Sequence, residues 1–176
     1  MGRARLFALT VCSAIAGAST RITDANKSAA VDLWFSDEAT ATATHGHLEA
    51  WDMTLVTSIY YLFNFPTSSP DGVSKWGFDA DLNSWDVSGV LSMAGTFENA
   101  YAFNGNLSSW DTASNKVSNG MFKGGGEFYL MVFNADITGW DVSAITDAGG
   151  MFSNCPEFNA DISGSDTSDV TAFGVP

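Results

Sequence analysis

Cysteine is nearly absent from this chain of 176 residues, which holds only Cys12 and Cys155. Cys12 lies in an N-terminal apolar run, so a chain that loses that run keeps one cysteine and can form no internal disulfide. At this length a hydrophobic core needs no such staple. Basic residues are scarce too: 7 Lys and Arg stand against 20 Asp and Glu, a formal net charge of −13. That balance repels phosphate backbones and anionic lipid surfaces, which argues against nucleic acid as a partner. Histidine occurs only at His45 and His47, and no glycine-rich phosphate loop follows a strand pattern, so the inventory for catalysis is poor and no enzyme is expected. Beyond the N-terminus no apolar stretch is long enough to span a bilayer.

The N-terminus itself reads MGRARLFALTVCSAIAGAST: two arginines, an apolar run from Leu6 to about Ala16, then small residues. This is the three-part form of a secretory signal over residues 1–18, and it predicts a secreted or cell-surface product. Cleavage near Ala18 removes Arg3 and Arg5 and leaves 5 basic against 20 acidic residues, or −15. LTVC is not read as a lipid-attachment site, because Val11 is bulky and the apolar run continues past Cys12.

The rest of the chain repeats. Trp-Asp pairs recur at Trp51-Asp52, Trp85-Asp86, Trp110-Asp111 and Trp140-Asp141, with Ser165-Asp166 as a degenerate fifth copy. The spacings of 34, 25, 30 and 25 are irregular until the phenylalanines are added. Each Trp is followed 12 residues on by Phe63, Phe97, Phe122 or Phe152, and each next copy is preceded by 7 at Phe78, Phe103, Phe133 or Phe158. All length variation falls between those two phenylalanines, where insertions become loops on one side of a stacked array.

Around each Trp the chain is apolar three before (Leu48, Leu82, Leu107, Ile137, Ile162), largely so two after (Met53, Val87, Thr112, Val142, Thr167), and mostly so five after (Val56, Val90, Ile145, Val170). This is the L-x-x-L-x-L spacing of a leucine-rich repeat with Trp in the second Leu position. It predicts an α/β fold. A short parallel strand through Trp-Asp-Val-Ser points Trp and Val inward and Asp outward. A single helical turn follows around SMAGTF (92–97) or DAGGMF (147–152), where glycines preclude a long helix. The third copy, with Asn115 and Ser118 at apolar positions, is expected to have a distorted turn. Residues 19–46 form a capping segment, with a helix at about 24–36 started by Thr23 or Asp24 and carrying Ala29, Ala30, Leu33 and Trp34 inward. The array occupies 47–176 in about five copies, the last stopping before its Met-Phe, as in a truncated chain or one covered by a partner.

The stretch FNADITGWDVSAITDAGGMFSNCPEFNADIS resembles the tandem repeat F-N-x-D-I-S-x-W-D-V-S-x-V-T-x-M-x-x-M-F of BspA-like leucine-rich-repeat surface proteins and lipoproteins of unknown function. The resemblance covers about residues 47–173, and ITDANKSAAVDLW resembles the segment that precedes such arrays. It implies a right-handed solenoid of leucine-rich-repeat type, secreted or displayed on the cell surface, without assigned catalytic residues. The lost Trp at Ser165, the two insertions and the third copy depart from that pattern.

Three polar columns follow from the register. Asp52, Asp86, Asp111, Asp141 and Asp166 stack as five carboxylates beside the hydroxyls of Thr54, Ser88, Ser143 and Ser168. At a strand spacing of ~4.8 Å, neighbouring charges repel by roughly 1 kcal/mol in water's dielectric and about 3 to 4 at an effective value of 20. Either each Asp turns aside to accept backbone and hydroxyl hydrogen bonds, or the column is a binding face for cations, a basic partner or glycans, with calcium the hard-cation candidate. Asp81, Asn106, Asp136 and Asp161 form a second column, and Asp79, Asn104, Asn134 and Asn159 a third, both suited to turns. His45 and His47 would share one face of a strand but lack a third metal ligand, GGGEF (124–128) reads as a flexible tip, Cys155 as a small core residue, and Asn26 and Asn106 begin glycosylation sequons. The expected function is a non-catalytic surface protein presenting an acidic, hydroxyl-lined face to an extracellular protein or glycan. The alternative is a calcium-dependent component of a matrix or wall.

Overall fold

The computed structural model describes residues 20–65, 75–126, 128–160, 162 and 167–170. The signal reading of residues 1–18, and the expectations placed on Asp161, Ser165 and Asp166, lie outside these residues. Two short helices open the described chain. Helix α1, Lys27–Ser36, buries Ala30 and Val31 and leaves Ala29 exposed. Helix α2, Glu38–His45, was not expected. Asp37 separates them by serving both: its N–H closes α1 on the Leu33 carbonyl, while its carboxylate accepts from the Thr40 N–H at 3.0 Å and caps α2. Gly46, at φ 84°, ends α2, and a 3₁₀ turn at Leu48–Ala50 leads into the first Trp.

The α/β solenoid of leucine-rich-repeat type, with short parallel strands, is not formed. Among the described residues there is no strand and no sheet, and the parallel contacts Ser58↔Ser92↔Val117↔Asp147 are isolated bridges. The reason lies in where the amide groups go. Around each Trp they close tight turns instead of a ladder: Trp85 N–H donates to the Leu82 carbonyl at 3.0 Å and Val90 N–H to Val87 at 2.8 Å, and Trp110, Asn115, Trp140 and Ile145 repeat the pattern. Two successive turns still alternate side chains in and out, so Trp51, Trp85, Trp110 and Trp140 are buried and the Asp beside each is exposed.

Units join one another in the second half of the repeat, where a helical turn was expected. There, alternate amides cross to the next unit and the intervening ones close turns within their own. Met93, Gly95, Phe97 and Asn99 donate to Val117, Asn119, Met121 and Lys123, while Thr96 and Glu98 donate back to Met93 and Gly95. A left-handed residue ten after each Trp produces this alternation: Tyr61 (φ 51°), Gly95 (60°), Gly120 (62°) and Gly150 (62°). Neither a helix nor a strand continues through a residue in that conformation.

Aromatic rings hold the stack. Phe63, Phe97, Phe122 and Phe152 lie face to face at 5.5 to 5.7 Å, and Phe78, Phe103, Phe133 and Phe158 at 5.7 to 6.2 Å. Within a unit the two series meet at 3.8 to 4.6 Å. The tryptophans add a directed bond that a Leu could not supply. Trp85, Trp110 and Trp140 each donate the indole N–H to the carbonyl of Leu48, Leu82 or Leu107 in the preceding unit, at 2.9 to 3.1 Å. In the third copy the turn is not distorted. Asn115 and Ser118 are fully buried and hydrogen-bond to each other, so two polar substitutions satisfy one another where other copies have apolar pairs.

Candidate functional site

The first Asp column consists of Asx turns. Oδ1 of Asp52, Asp86, Asp111 and Asp141 accepts the backbone N–H two residues on, from Thr54, Ser88, Ala113 and Ser143, at 2.9 to 3.1 Å. The same oxygen accepts the hydroxyl of Thr54 at 2.5 Å, and of Ser88 and Ser143 at 2.6 Å; Ala113 has none to give. The hydroxyl column is therefore bound to the carboxylate column. These hydroxyl bonds, then the N–H bonds, hold the carboxyls of Asp52, Asp86 and Asp141 below the usual carboxylate range. The charge of Asp52 pulls Asp86 upward but is the weakest influence on it, so hydrogen bonding offsets the repulsion between stacked carboxylates. Ser168 is exposed at the end of the described chain.

These bonds all use Oδ1, and at Asp52 Oδ2 is occupied as well. Arg21, a residue that sequence reasoning did not single out, places Nε and Nη2 at 2.8 and 2.7 Å from Asp52 Oδ2 and donates from Nη2 to Thr54 Oγ1 at 3.0 Å. The Thr54 hydroxyl thus donates to its Asp and accepts from the guanidinium. Nothing in the repeat register could have announced this contact, which crosses 31 residues from outside the array.

The other columns are also built from turns. Asp81, Asn106 and Asp136 accept the N–H of Asn83, Ser108 and Thr138 at 3.0 to 3.1 Å, which holds the Asp136 carboxyl down and occupies the Asn106 side chain. Asp79, Asn104 and Asn134 each accept the backbone N–H of the matching residue in the next unit at 2.8 to 2.9 Å, a ladder between units made by side-chain oxygens. Between the first two units a groove of about 320 Å³ is lined by Glu49, Asp81, Asn83 and Ser84.

His45 and His47 do not share a strand face. His45 ends α2 with Nδ1 2.9 Å from the Thr20 carbonyl, and His47 sits in the following loop, edge-on to Trp34 at 4.8 Å. No group of three His, Cys, Asp or Glu among the described residues is arranged to hold a metal ion. Cys155 is buried, with Sγ 3.3 Å from the Phe133 carbonyl, and burial pushes its thiol up to about 11. Among the described residues no helix is long and apolar enough to cross a membrane.

A family model described as "Mycoplasma protein of unknown function, DUF285" matches residues 32–130 and 73–174. No curated protein and no solved structure matches.

Proposed function

For a chain that belongs to the DUF285 family, we propose a non-catalytic secreted or cell-surface role, of the BspA-like kind, in which the acidic edge binds a protein partner through its arginines. The observation that carries this reading is Arg21. The chain's own guanidinium docks on the Asp52-x-Thr54 unit with three contacts of 3.0 Å or less. The units Asp86-x-Ser88 and Asp141-x-Ser143 repeat the same turn, with the same hydroxyl donating to the same Oδ1. A partner's arginine would meet there the second oxygen of an exposed carboxylate and a hydroxyl oxygen able to accept. A planar fork of donors suits such a pair better than the point charge of lysine. The formal charge of −13 steers a basic partner toward this edge.

The test is titration of the full chain with a short arginine-rich peptide and its lysine counterpart at two salt concentrations. Salt-sensitive binding that prefers arginine, weakens in Asp86→Asn and Asp141→Asn, and strengthens in Arg21→Ala by freeing the first unit is the expected result. Equal affinity for both peptides, or indifference to the Asp substitutions, overturns the reading. Sequencing the N-terminus of the mature product tests export: a chain that retains Arg3 and Arg5 sinks it.

A further inference from the structure

A second surface differs from the acidic edge in every chemical respect. The core rings recur in each repeat and are accounted for by packing. Trp76 and Tyr101, each two before the second Phe of its copy and packed against the edge of the core, meet Tyr129, which has no counterpart in the other copies. Trp76 comes from the first unit, Tyr101 from the matching position of the second and Tyr129 from the third-copy insertion, and their ring centroids lie 5.2, 5.5 and 5.6 Å apart. None of the three is fully buried.

The backbone fixes this meeting. Sequence suggests a flexible tip at GGGEF, but Gly125 N–H donates to the Tyr129 carbonyl and Tyr129 N–H to Gly126, closing a tight turn. Val132 N–H then donates to the Tyr101 carbonyl, and Ala102 N–H to Trp76. Gly124 lets the turn seat: a Cβ there would fall 2.5 Å from the Tyr129 carbonyl oxygen and 2.8 Å from that of Asn154. Phe128, 89% exposed, stands beside the cluster in the chain.

The polar groups around the rings bear on the occupant. The Tyr101 hydroxyl donates to Asn99 Oδ1, and the Glu98 carboxylate is paired with Lys123 at 3.4 Å, so among the described residues the rim carries hydrogen-bonding groups and no unbalanced charge. An apolar protein knob seated here would desolvate the Glu98–Lys123 pair and offer the rim no further hydrogen bonds. A sugar ring has an apolar C–H face for the aromatic rings and hydroxyls at its edge for the rim, the combination of aromatic lining and few polar groups that small ligands use. The net charge of −13 disfavours sulfated or uronic chains. We infer that the Trp76, Tyr101 and Tyr129 cluster is a platform for a neutral glycan.

The test is calorimetric titration of the full chain with cellohexaose, chitohexaose and maltohexaose. Saturable binding of at least one is expected, with affinity falling at least tenfold in Trp76→Ala and in Tyr129→Ala. Gly124→Ala, which keeps every ring but displaces the turn, should also weaken it, whereas Asp141→Asn should leave it unchanged. A melting curve for each variant separates loss of the site from loss of the fold. No saturable binding of any of the three sugars up to ~10 mM overturns the inference, as does binding indifferent to the two ring substitutions. A change of oligomeric state on those substitutions without any sugar response overturns it in favour of self-association. The arginine-peptide titration is independent, so either reading can fail alone.

Discussion

Asp24 is the residue whose removal should most directly unseat the start of the array. From the second unit on, the residue six after each Trp donates its amide to the matching carbonyl of the unit before: Leu91 to Thr57, Lys116 to Leu91, Thr146 to Lys116. The first unit has no predecessor, and the Asp24 carboxylate stands in, accepting from Thr57 N–H at 3.2 Å, from its hydroxyl at 2.6 Å and from Ser58 N–H at 3.3 Å. Lys27 adds a contact at 3.0 Å. Partial burial raises the acid's pKa, but the bonds from Thr57 and Lys27 outweigh it and hold the carboxyl at about 2 against an ordinary 3.8. That difference corresponds to at most ~2 kcal/mol at neutral pH. With the side chain 42% exposed, solvent screening reduces it to about 1 kcal/mol. The folded-state value is depressed, so this stability is present above pH 3.8 and lost as pH falls toward 2. Asp24→Asn should therefore lower stability at pH 7 by ~1 kcal/mol, a melting shift of roughly 2 to 4 °C, and the gap to the parent should close by pH 2. Chemical denaturation followed by circular dichroism at the two pH values measures this, and amide exchange should show Thr57 exposed first. An Asp24→Asn variant as stable as the parent at neutral pH, or a gap that persists undiminished in acid, refutes the reasoning.

Two further expectations concern the core. Trp110→Phe keeps a stacked ring but removes the indole donor from the Leu82 carbonyl, which then retains only the Trp85 N–H, and should cost about 1 to 2 kcal/mol in denaturant unfolding; a loss below ~0.5 kcal/mol would show that the indole bond contributes little. Asn115→Val alone strands the buried Ser118 hydroxyl and should destabilise by ~1 to 2 kcal/mol, whereas Asn115→Val with Ser118→Met restores the apolar pair of the second copy and should recover that loss. Additive effects in the double-mutant cycle would contradict the pairing.

The sequence made inward and outward positions legible but not backbone conformation. Trp, Phe and the residues two after each Trp were recognisable because burial requires only that they recur in register. A strand and a pair of tight turns both place Trp110 and Thr112 inside with Asp111 outside, so the L-x-x-L-x-L spacing could not separate them. The deciding signal was the glycine ten after Trp at Gly95, Gly120 and Gly150. It reads as a poor helix former and is in fact a left-handed residue, a conformation that Tyr61 adopts in the first unit. Asp-x-Ser and Asp-x-Thr likewise carried a turn signature, with the carboxylate bonded two residues on. Their regular stacking drew attention to repulsion, which the hydroxyls had already offset. Tyr129 was hidden for the opposite reason: it sits in an insertion, where no register could align it, whereas Trp76 stands two before Phe78 as Tyr101 stands two before Phe103.

Arg21 and Asp24 fall outside every periodic argument, yet they explain how an array with recurring interfaces can begin. The residue six after each Trp donates its amide backward, so in the first unit that donor lacks a carbonyl, while Asp52 offers an Oδ2 that its own turn does not use. The segment before α1 meets both needs with nearby side chains of opposite charge, the Asp24 carboxylate replacing a missing backbone carbonyl and the Arg21 guanidinium occupying an open carboxylate. A parallel bridge, Thr23↔Leu55, anchors the segment between them. What Asp24 imitates is the neighbouring unit, which is why its loss should be felt as stability. On the proposed reading Arg21 takes the place of a partner's arginine, since Asp86 and Asp141 form the same turns, and its loss should be felt as binding.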